Sequence, residues 1–235
     1  MSPPVDDGPR DSVSLADRVT DELRRAILAH EFLPGDRLGA ASLADRFDVS
    51  ATPLREAFAR LAGEGWVTYQ PQRGVRVAEV RVEEMLEIYE LRMLLEPLAL
   101  RRSVLTGDDA WRDEVAEAHR AMEEASCIPA ADMDGRAYAQ YEELHVAFHQ
   151  VTLSRCGSAW LIRITDLLTN QSRRFRRLSL PIRARYGSVP AEHRAIADAC
   201  AQGDADAAVE AGITHMENTR KAILSWVGDP GNRPS

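Results

Sequence analysis

The chain has 235 residues, 45% of them hydrophobic, which is enough to build one small and one medium domain. It contains no run of the roughly 18 apolar residues that a membrane span needs, and its polar N-terminus lacks the features of a secretory signal. The net charge of −8 argues weakly against a nucleic-acid binder, although a local basic face can coexist with an acidic whole. We therefore expect a cytoplasmic protein that does not contact a membrane.

The N-terminal third combines short helices with a pair of strands. Apolar periodicity and turn residues place three helices at about 14–30, 42–47 and 52–63. Ser12 or Ser14 can cap the first of them. Alternating apolar residues then place two strands at about 66–69 and 75–78, joined by a hairpin tip. This order predicts a winged helix-turn-helix domain at 13–79, preceded by a flexible segment at 1–12.

The rest of the chain carries helical signals and no strand signals. Helical periodicity between turn residues, Pro181 among them, predicts six helices, at about 82–106, 108–126, 132–154, 158–179, 188–202 and 205–227. Short connections favour antiparallel neighbours, so residues 80–227 predict an all-α antiparallel bundle. The Gly/Pro-rich segment 228–235 is expected to be a flexible tail. The predicted fold is therefore mainly α, with the small winged domain in front.

Short polar side chains and arginines lie where a winged helix would meet DNA. A recognition helix presents its first turn to the major groove, while the wing approaches the backbone. Hydroxyl groups can reach phosphates, and an arginine can bind phosphate or guanine. The candidates are Ser50, Thr52 and Arg55 at the third helix, with Arg73 and Gly74 at the wing tip. On residue types alone, these groups could instead cap and solvate an ordinary helical domain.

Four of the six histidines fall on predicted bundle helices in a pattern that could bind a metal. His145 and His149 are four residues apart, so their rings share one face of a helix. His193 and His215 lie on two later helices, which can converge with the first inside a bundle. Without further information, satisfied core or surface histidines remain the simpler alternative. The three cysteines, Cys127, Cys156 and Cys200, are too widely spaced for a disulfide framework or a metal motif, so we expect buried apolar residues.

Several spaced motifs resemble a known family of regulators. They are Leu33–Leu38 (LPGDRL), Leu43–Ser50 (LADRFDVS), Thr52–Ala57 (TPLREA), Leu61, Gly65–Val67 (GWV) and Arg73–Gly74. The segment 15–80 resembles the GntR-type winged helix, and the helical remainder is similar to the FCD domain of the FadR subgroup. One departure is Ala51, where the family usually has arginine after the serine of the turn. Ala40 and Ala41 also stand where an arginine is frequent, so the operator preference of this chain is expected to be unusual.

The resemblance gives the histidines a role. It implies a metal site formed by His145, His149, His193 and His215, in which His145 replaces a commoner aspartate. A fourth imidazole removes one negative charge and favours zinc, with nickel or copper as alternatives, over manganese or magnesium. His30 and His119 have no such context and are expected at the surface.

The resemblance also implies an effector site. Arg92 and Glu96 lie four residues apart on the first bundle helix, where the simplest interpretation is an ion pair along one helix face. The matching family arginine often faces the effector cavity, and a guanidinium binds carboxylates bidentately, which suggests a small carboxylate effector. The arginine-rich run at 173–177 could also turn one arginine toward the ligand, but a solvated helix face is the favoured interpretation.

These observations predict a homodimeric regulator, most simply a repressor, that binds a palindromic double-stranded DNA operator and responds to a small organic acid at a metal-containing site. An alternative is a metal sensor in which the ion itself is the signal. A metal-dependent helical-bundle enzyme is the less favoured alternative, because a di-iron bundle needs two Glu-x-x-His motifs and the chain shows only the one ending at His145.

Overall fold

The computed structural model describes residues 14–126 and 135–228, with the side chains of 177–181 left undescribed. Several predictions therefore fall outside the described residues. They concern the N-terminal segment 1–12, the capping role of Ser12, the burial of Cys127, the start of a helix at 132, the side chain of Arg177 and all of the predicted tail 228–235 except Gly228, which ends the last helix.

The N-terminal domain begins with α1 (Leu15–Leu28) and continues through β1 (Arg37–Leu38), α2 (Ala40–Phe47), α3 (Ala51–Gly63), β2 (Val67–Gln70) and β3 (Gly74–Val77). Ser14 caps α1 in a capping box: its hydroxyl accepts from the Asp17 backbone N–H at 3.1 Å, and the Asp17 carboxylate accepts from the Ser14 backbone N–H at 3.2 Å. Buried side chains from α1, α3 and β3 form one continuous core that includes Trp66. The three helices and the strand hairpin agree with the prediction to within a few residues.

The sheet contains a strand that the sequence pattern did not predict. Among the described residues it has three strands in the order β1-β3-β2, and both neighbouring pairs are antiparallel. β1 is only two residues long, too short to show an alternating pattern. It forms because the turn at Gly35, whose φ is +85°, leads the chain back alongside β3, where Leu38 is buried.

Six further helices of the described chain form the C-terminal bundle. They are α4 (Val82–Thr106), α5 (Asp109–Ala125), α6 (Gly135–Leu153), α7 (Ala159–Arg183), α8 (Val189–Gln202) and α9 (Ala205–Gly228). The closest packing joins α9 to α4 and α8, α5 to α6, and α4 to α7. Among the described residues, no helix combines the length and the apolar character needed to cross a bilayer. Cys156 and Cys200 are buried and free, as expected, and burial raises the pKa of the Cys200 thiol to about 12.

The predicted end of α7 is wrong. Pro181 was expected to stop the helix near residue 179, but α7 continues to Arg183. A proline removes only one helical hydrogen bond, and here it lies within the last turn. Beyond it, Arg183 is anchored by an ion pair with Glu192 and by a 3.2 Å hydrogen bond from its Nε to the Thr219 hydroxyl. These contacts with α8 and α9 hold the final turn in place.

Candidate metal centre and nucleic-acid interface

Four histidines meet inside the bundle. α6 carries His145 and His149 one turn apart, α8 supplies His193, and α9 supplies His215. All four are buried, and one ring nitrogen from each lies within 4.8 Å of those of the other three. The closest measured approach joins the two Nε2 atoms of His145 and His149, at 3.2 Å.

Burial keeps these imidazoles neutral. Desolvation is the largest cause that lowers the pKa of each ring, and for three of them the pKa falls well below its usual value. Neighbouring imidazoles and the nearby Arg176 and Arg92 lower the pKa values further. A neutral imidazole has one ring nitrogen with a free lone pair, which is the form that binds a metal.

A carboxylate outside the cluster fixes the orientation of one ring. Glu192 Oε2 lies 2.9 Å from His215 Nδ1. Because a carboxylate only accepts, Nδ1 must carry the proton, which leaves the lone pair on Nε2. Burial raises the pKa of Glu192, but hydrogen bonds from His215 and Asn218 outweigh this and lower it overall. This carboxylate–histidine pair is the arrangement that usually supports a metal-binding imidazole.

The cluster fits a small divalent cation. Ring nitrogens about 2.0–2.1 Å from a tetrahedral zinc ion stand roughly 3.4 Å apart, close to the 3.2 Å between His145 and His149. His193 Nε2 and His145 Nδ1 are buried and have no hydrogen-bond partner among the described residues. An unsatisfied buried nitrogen is costly, and at His193 a bound cation would remove that cost. The donor set, all imidazole, suits zinc, nickel or copper.

Three buried ion pairs surround the histidines. Arg92 Nε lies 2.6 Å from Glu96 Oε1 on α4, and Arg92 Nη1 donates to the Ser172 hydroxyl at 3.0 Å. Arg176 on α7 pairs with Glu142 on α6, and its Nη1 also contacts the Ser172 hydroxyl. The third pair joins Arg183 to Glu192. The predicted i,i+4 ion pair between Arg92 and Glu96 is therefore present, and it is buried, with the two residues 2% and 6% exposed.

The expectation of a solvated arginine face on α7 is wrong. Arg173 and Arg176 are buried, and the Arg174 side chain is only 6% exposed. Arg173 lies near Glu142 and pairs with Glu143, while Arg174 pairs with Glu84 at 2.7 Å. The arginines are buried because acidic residues of α4 and α6 face α7, and an acidic partner on another helix cannot be identified from the α7 sequence.

The two remaining histidines, expected at the surface, are half-buried there. His119 lies beside the cluster, its ring centroid 5.6 Å from that of Phe148, because α5 packs directly against α6. His30 follows α1 in a left-handed conformation, with φ of +58°.

The residues proposed to face DNA lie on the surface of the N-terminal domain. Ser50 is the N-cap residue of α3, but its hydroxyl accepts no capping hydrogen bond. Thr52 and Arg55 are exposed in the first turns of α3. Arg73 and Gly74 are exposed at the β2–β3 tip, where Gly74 has φ of +81°. The structure therefore leaves all five available to a ligand, on two adjacent elements.

Arg37 is a further exposed arginine at the wing. It lies on β1 opposite Arg76, and its Nε is 3.8 Å from the position that a Cβ on Gly74 would take. The sequence analysis missed it because β1 was not predicted. The turn signal at residues 34–36 could have indicated it, since a chain reversal there places the next residues beside the hairpin.

The α7 helix links the histidine cluster to the N-terminal domain. The Gln171 side-chain amide donates to the Glu64 carbonyl at the end of α3. The Arg173 guanidinium carbon lies 5.7 Å from the centroid of the Trp66 ring, within the range of a cation–π contact. α1 also packs against α6 and α7. The two domains thus touch through the same helices that hold the buried ion pairs.

Comparisons with known proteins agree with this two-part architecture. Residues 15–77 match the family model described as bacterial regulatory proteins, gntR family, and residues 87–218 match that of the FCD domain. The chain is 31% identical over 215 residues to BphR of Paraburkholderia xenovorans, described as an uncharacterized HTH-type transcriptional regulator, covering 91% of this chain and 86% of that one. It is 30% identical over 155 residues to the HTH-type transcriptional repressor GlaR of Escherichia coli, covering 66% and 69%.

Solved structures give the same result. A GntR transcriptional regulator from Rhodococcus sp. RHA1 superposes with a TM-score of 0.72 at 27% identity, over 89% of this chain and 97% of the other. Escherichia coli McbR/YncC superposes with a TM-score of 0.75 over 92% and 100% of the two chains, and at 20% identity it supports the fold alone.

Proposed function

The chain belongs to the GntR family of DNA-binding transcription regulators and carries an FCD domain, and from this premise we propose that it is a metal-containing repressor that senses a small organic acid. Its relatives are regulators, not enzymes. The observation that carries the proposal is the convergence of four buried, neutral imidazoles beside buried guanidinium groups, in a bundle that contacts the N-terminal domain. As a DNA-binding regulator it would act in the cytoplasm.

We assign DNA contact to the exposed polar residues of α3 and the wing. Ser50, Thr52 and Arg55 would enter the major groove, and Arg73 with Gly74 would approach the backbone. Arg55 and Arg73 form no ion pair with any residue described in the structure, so binding a phosphate or base would not break an existing contact. Exposed arginines at α3 and the wing would give a chain of net charge −8 a local basic surface for DNA.

We assign the metal to His145, His149, His193 and His215, with zinc as the favoured ion. When bound, the metal supplies a positive centre that attracts an anionic oxygen. The Arg92–Glu96 pair is assigned to the wall of the effector site, because Glu96 lines a small cavity together with His149 and His215, and Arg92 is held against Glu96. A guanidinium and a metal near one cavity would favour a carboxylate ligand.

A homodimer is proposed because an apolar face is left uncovered on α4 and α7. We call it the dimer face, and its members are Leu91, Leu94, Leu98 and Leu105 on α4 with Trp160, Ile164 and Leu167 on α7. Leu94 is 65% exposed and Trp160 71%. α4 and α7 pack side by side, so the exposed leucines of α4 and the exposed apolar residues of α7 can form one patch. A second copy of the chain would cover it by a two-fold axis, which matches a palindromic operator.

The test combines metal analysis with DNA binding. Protein purified without an affinity tag or added metal should contain about one zinc per chain, and the double variant His149→Ala/His193→Ala should contain almost none. A His119→Ala variant is the matched control, because this ring lies beside the cluster and outside the proposed ligand set.

DNA selected by the protein from a random-sequence library then serves as the operator probe. The proposal expects small organic acids to release this DNA from metal-loaded protein and to have little effect after metal removal. A pure metal sensor would instead release DNA on chelation and ignore organic acids. Metal-free protein that responds fully to an organic acid would contradict the proposed metal site.

A further inference from the structure

The cavities that border the histidine cluster differ in the chemistry of their walls. One contains two arginines, Arg176 and Arg183, against a single carboxylate, Glu142, so its wall repels cations. Another is mainly apolar, and its carboxylate, Glu96, is already bound to Arg92. A divalent cation on its way to the cluster would gain little from either wall.

A third cavity offers metal-binding groups instead. It lies where α5 packs against α6 and α8, and its wall contains His119, Met122 and Glu123 of α5 together with His193 of the cluster. We call these four residues and the space between them the α5 port. Imidazole nitrogen, thioether sulfur and carboxylate oxygen all bind first-row metal ions. The arginines that line the first cavity do not line this one.

The donors of the α5 port run from the surface to the interior. His119 and Glu123 are partly exposed and stand one helical turn apart, so their side chains share a face of α5. Met122 and His193 are buried, at 2% and 1% exposure. The Phe148 ring centroid lies 5.6 Å from that of His119 and 5.6 Å from that of His193, so one aromatic ring contacts both the outer and the inner imidazole.

The α5 port is narrow. Its volume is about 10 Å³, close to the space that one water molecule needs. A divalent cation cannot enter it with a complete hydration shell, so it has to exchange waters for protein ligands as it enters. His119 and Glu123 are the groups that meet it first, because they are the donors of the port that solvent reaches.

An ion pair joins the two helices at the port. Glu123 on α5 pairs with Arg194 on α8, and their side chains are 37% and 60% exposed. An exposed pair of this kind contributes little to stability and opens readily. Arg194 thus places a positive charge where a cation would arrive, and it occupies the carboxylate that would attract the cation.

We infer that the metal enters and leaves the cluster through the α5 port, with His119 and Glu123 as transient first ligands and His193 as the cluster residue that receives the ion. This inference rests on the proposed metal site and adds an outer cation-binding station to it. A route changes the barrier between two states and leaves the states themselves unchanged. A change in the port should therefore alter the rates of uptake and release by the same factor and preserve the affinity.

The test follows cobalt(II) by its visible absorbance in a stopped-flow instrument, since cobalt accepts the same imidazole ligands as zinc. Uptake is measured by mixing cobalt with metal-free protein, and release by mixing cobalt-loaded protein with excess chelator. His119→Ala should slow both rates about tenfold, because the barrier loses one ligand, at unchanged final cobalt content.

Arg194→Ala leaves the interior untouched and should raise both rates about threefold, because it frees the carboxylate at the entrance. Arg155→Ala is the matched control: Arg155 also pairs with an acidic residue of α5, Glu114, outside the port, and its removal should change neither rate.

Unchanged uptake and release in His119→Ala would overturn the inference and leave the proposed metal site standing. A weaker cobalt affinity with faster release in His119→Ala would also overturn it, because this ring would then support the bound state. If His119→Ala does not fold, Arg194→Ala decides, and unchanged rates there would overturn the inference. Wild-type protein that takes up no cobalt would overturn the metal site itself, and the port with it.

Discussion

Metal-free protein should lose stability on mild acidification, because its four buried histidines are neutral in the folded state. Desolvation lowers their pKa values, whereas in the unfolded chain each imidazole titrates near 6.5. Below that pH the unfolded state binds more protons than the folded state, so the free energy of unfolding must fall as the pH falls.

The magnitude follows from linkage. An imidazole that stays neutral in the folded protein but is protonated in the unfolded chain at about pH 5.5 lowers the free energy of unfolding by about 1.4 kcal/mol relative to neutral pH. Four such rings lower it by at most about 6 kcal/mol. This is comparable to the whole stability of a typical domain, which is about 5–15 kcal/mol. Glu192 does not act in this window: its folded pKa is lowered, so its contribution is complete above its unfolded value and is lost only at lower pH. The facing arginines stay charged throughout.

The assay is urea unfolding of chelator-treated protein, followed by circular dichroism at fixed protein concentration and at about pH 7.5 and 5.5. His149→Gln should reduce the loss of stability by about a quarter, because one of the four linked groups is gone. His30→Asn is the control, since His30 lies outside the cluster and asparagine tolerates its left-handed backbone. Equal free energies of unfolding at the two pH values would show that the rings are not buried and neutral, and the reasoning would fail.

Further predictions concern the two other surfaces and the link between domains. Arg55→Ala should weaken operator binding about ten- to a hundredfold, since hydrogen bonds to charged groups contribute about 1.5–3 kcal/mol. Arg18→Ala on α1 is the control and should change operator affinity little. Both affinities are measured by fluorescence anisotropy at matched salt, and an unchanged affinity of Arg55→Ala would reject the placement of α3 in the groove. Leu94→Glu should give a monomer in sedimentation velocity, because it puts a charge in the dimer face; a persistent dimer would place the interface elsewhere. Arg173→Met should preserve zinc content and organic-acid affinity but reduce DNA release by the acid at least fivefold; undiminished release would exclude this arginine from the coupling.

The sequence was sufficient for elements whose signals are local. Apart from the end of α7, the helix bounds that the structure describes in the bundle agree with the periodic pattern, because apolar spacing and caps act within a few residues. β1 was missed because its two residues carry no period, and its existence depends on pairing with β3. The continuation of α7 beyond Pro181 depends on contacts that Arg183 makes with other helices. Local propensity predicts a stop there, and tertiary contacts overcome it.

The candidate site was predictable only as a set of residue types. Spacing places His145 and His149 on one face of a helix, but their meeting with His193 and His215 depends on the packing of three helices. The burial of the α7 arginines was unpredictable for the same reason: their partners Glu84, Glu142 and Glu143 lie on α4 and α6. A run of arginines is solvated unless tertiary structure brings acidic groups to it. The family resemblance supplied the histidine set, and it could not supply these ion pairs.

The order of residues along α7 offers a physical route from the site to DNA. Ser172, Arg176 and Arg183 are spaced by four and seven residues, so they share one face, and this face borders the histidine cluster. Gln171 lies on a neighbouring face and holds the end of α3 through the Glu64 carbonyl. Arg173 lies between these two faces of α7, with Glu142 on one side of it and the Trp66 ring on the other. A carboxylate ligand that draws Arg176 toward itself would change the partners of Glu142, and hence the position of Arg173 against the N-terminal domain. Such a shift would be allosteric only if the two positions of Arg173 bind operator DNA with different affinity, which is why Arg173→Met should separate acid binding from DNA release.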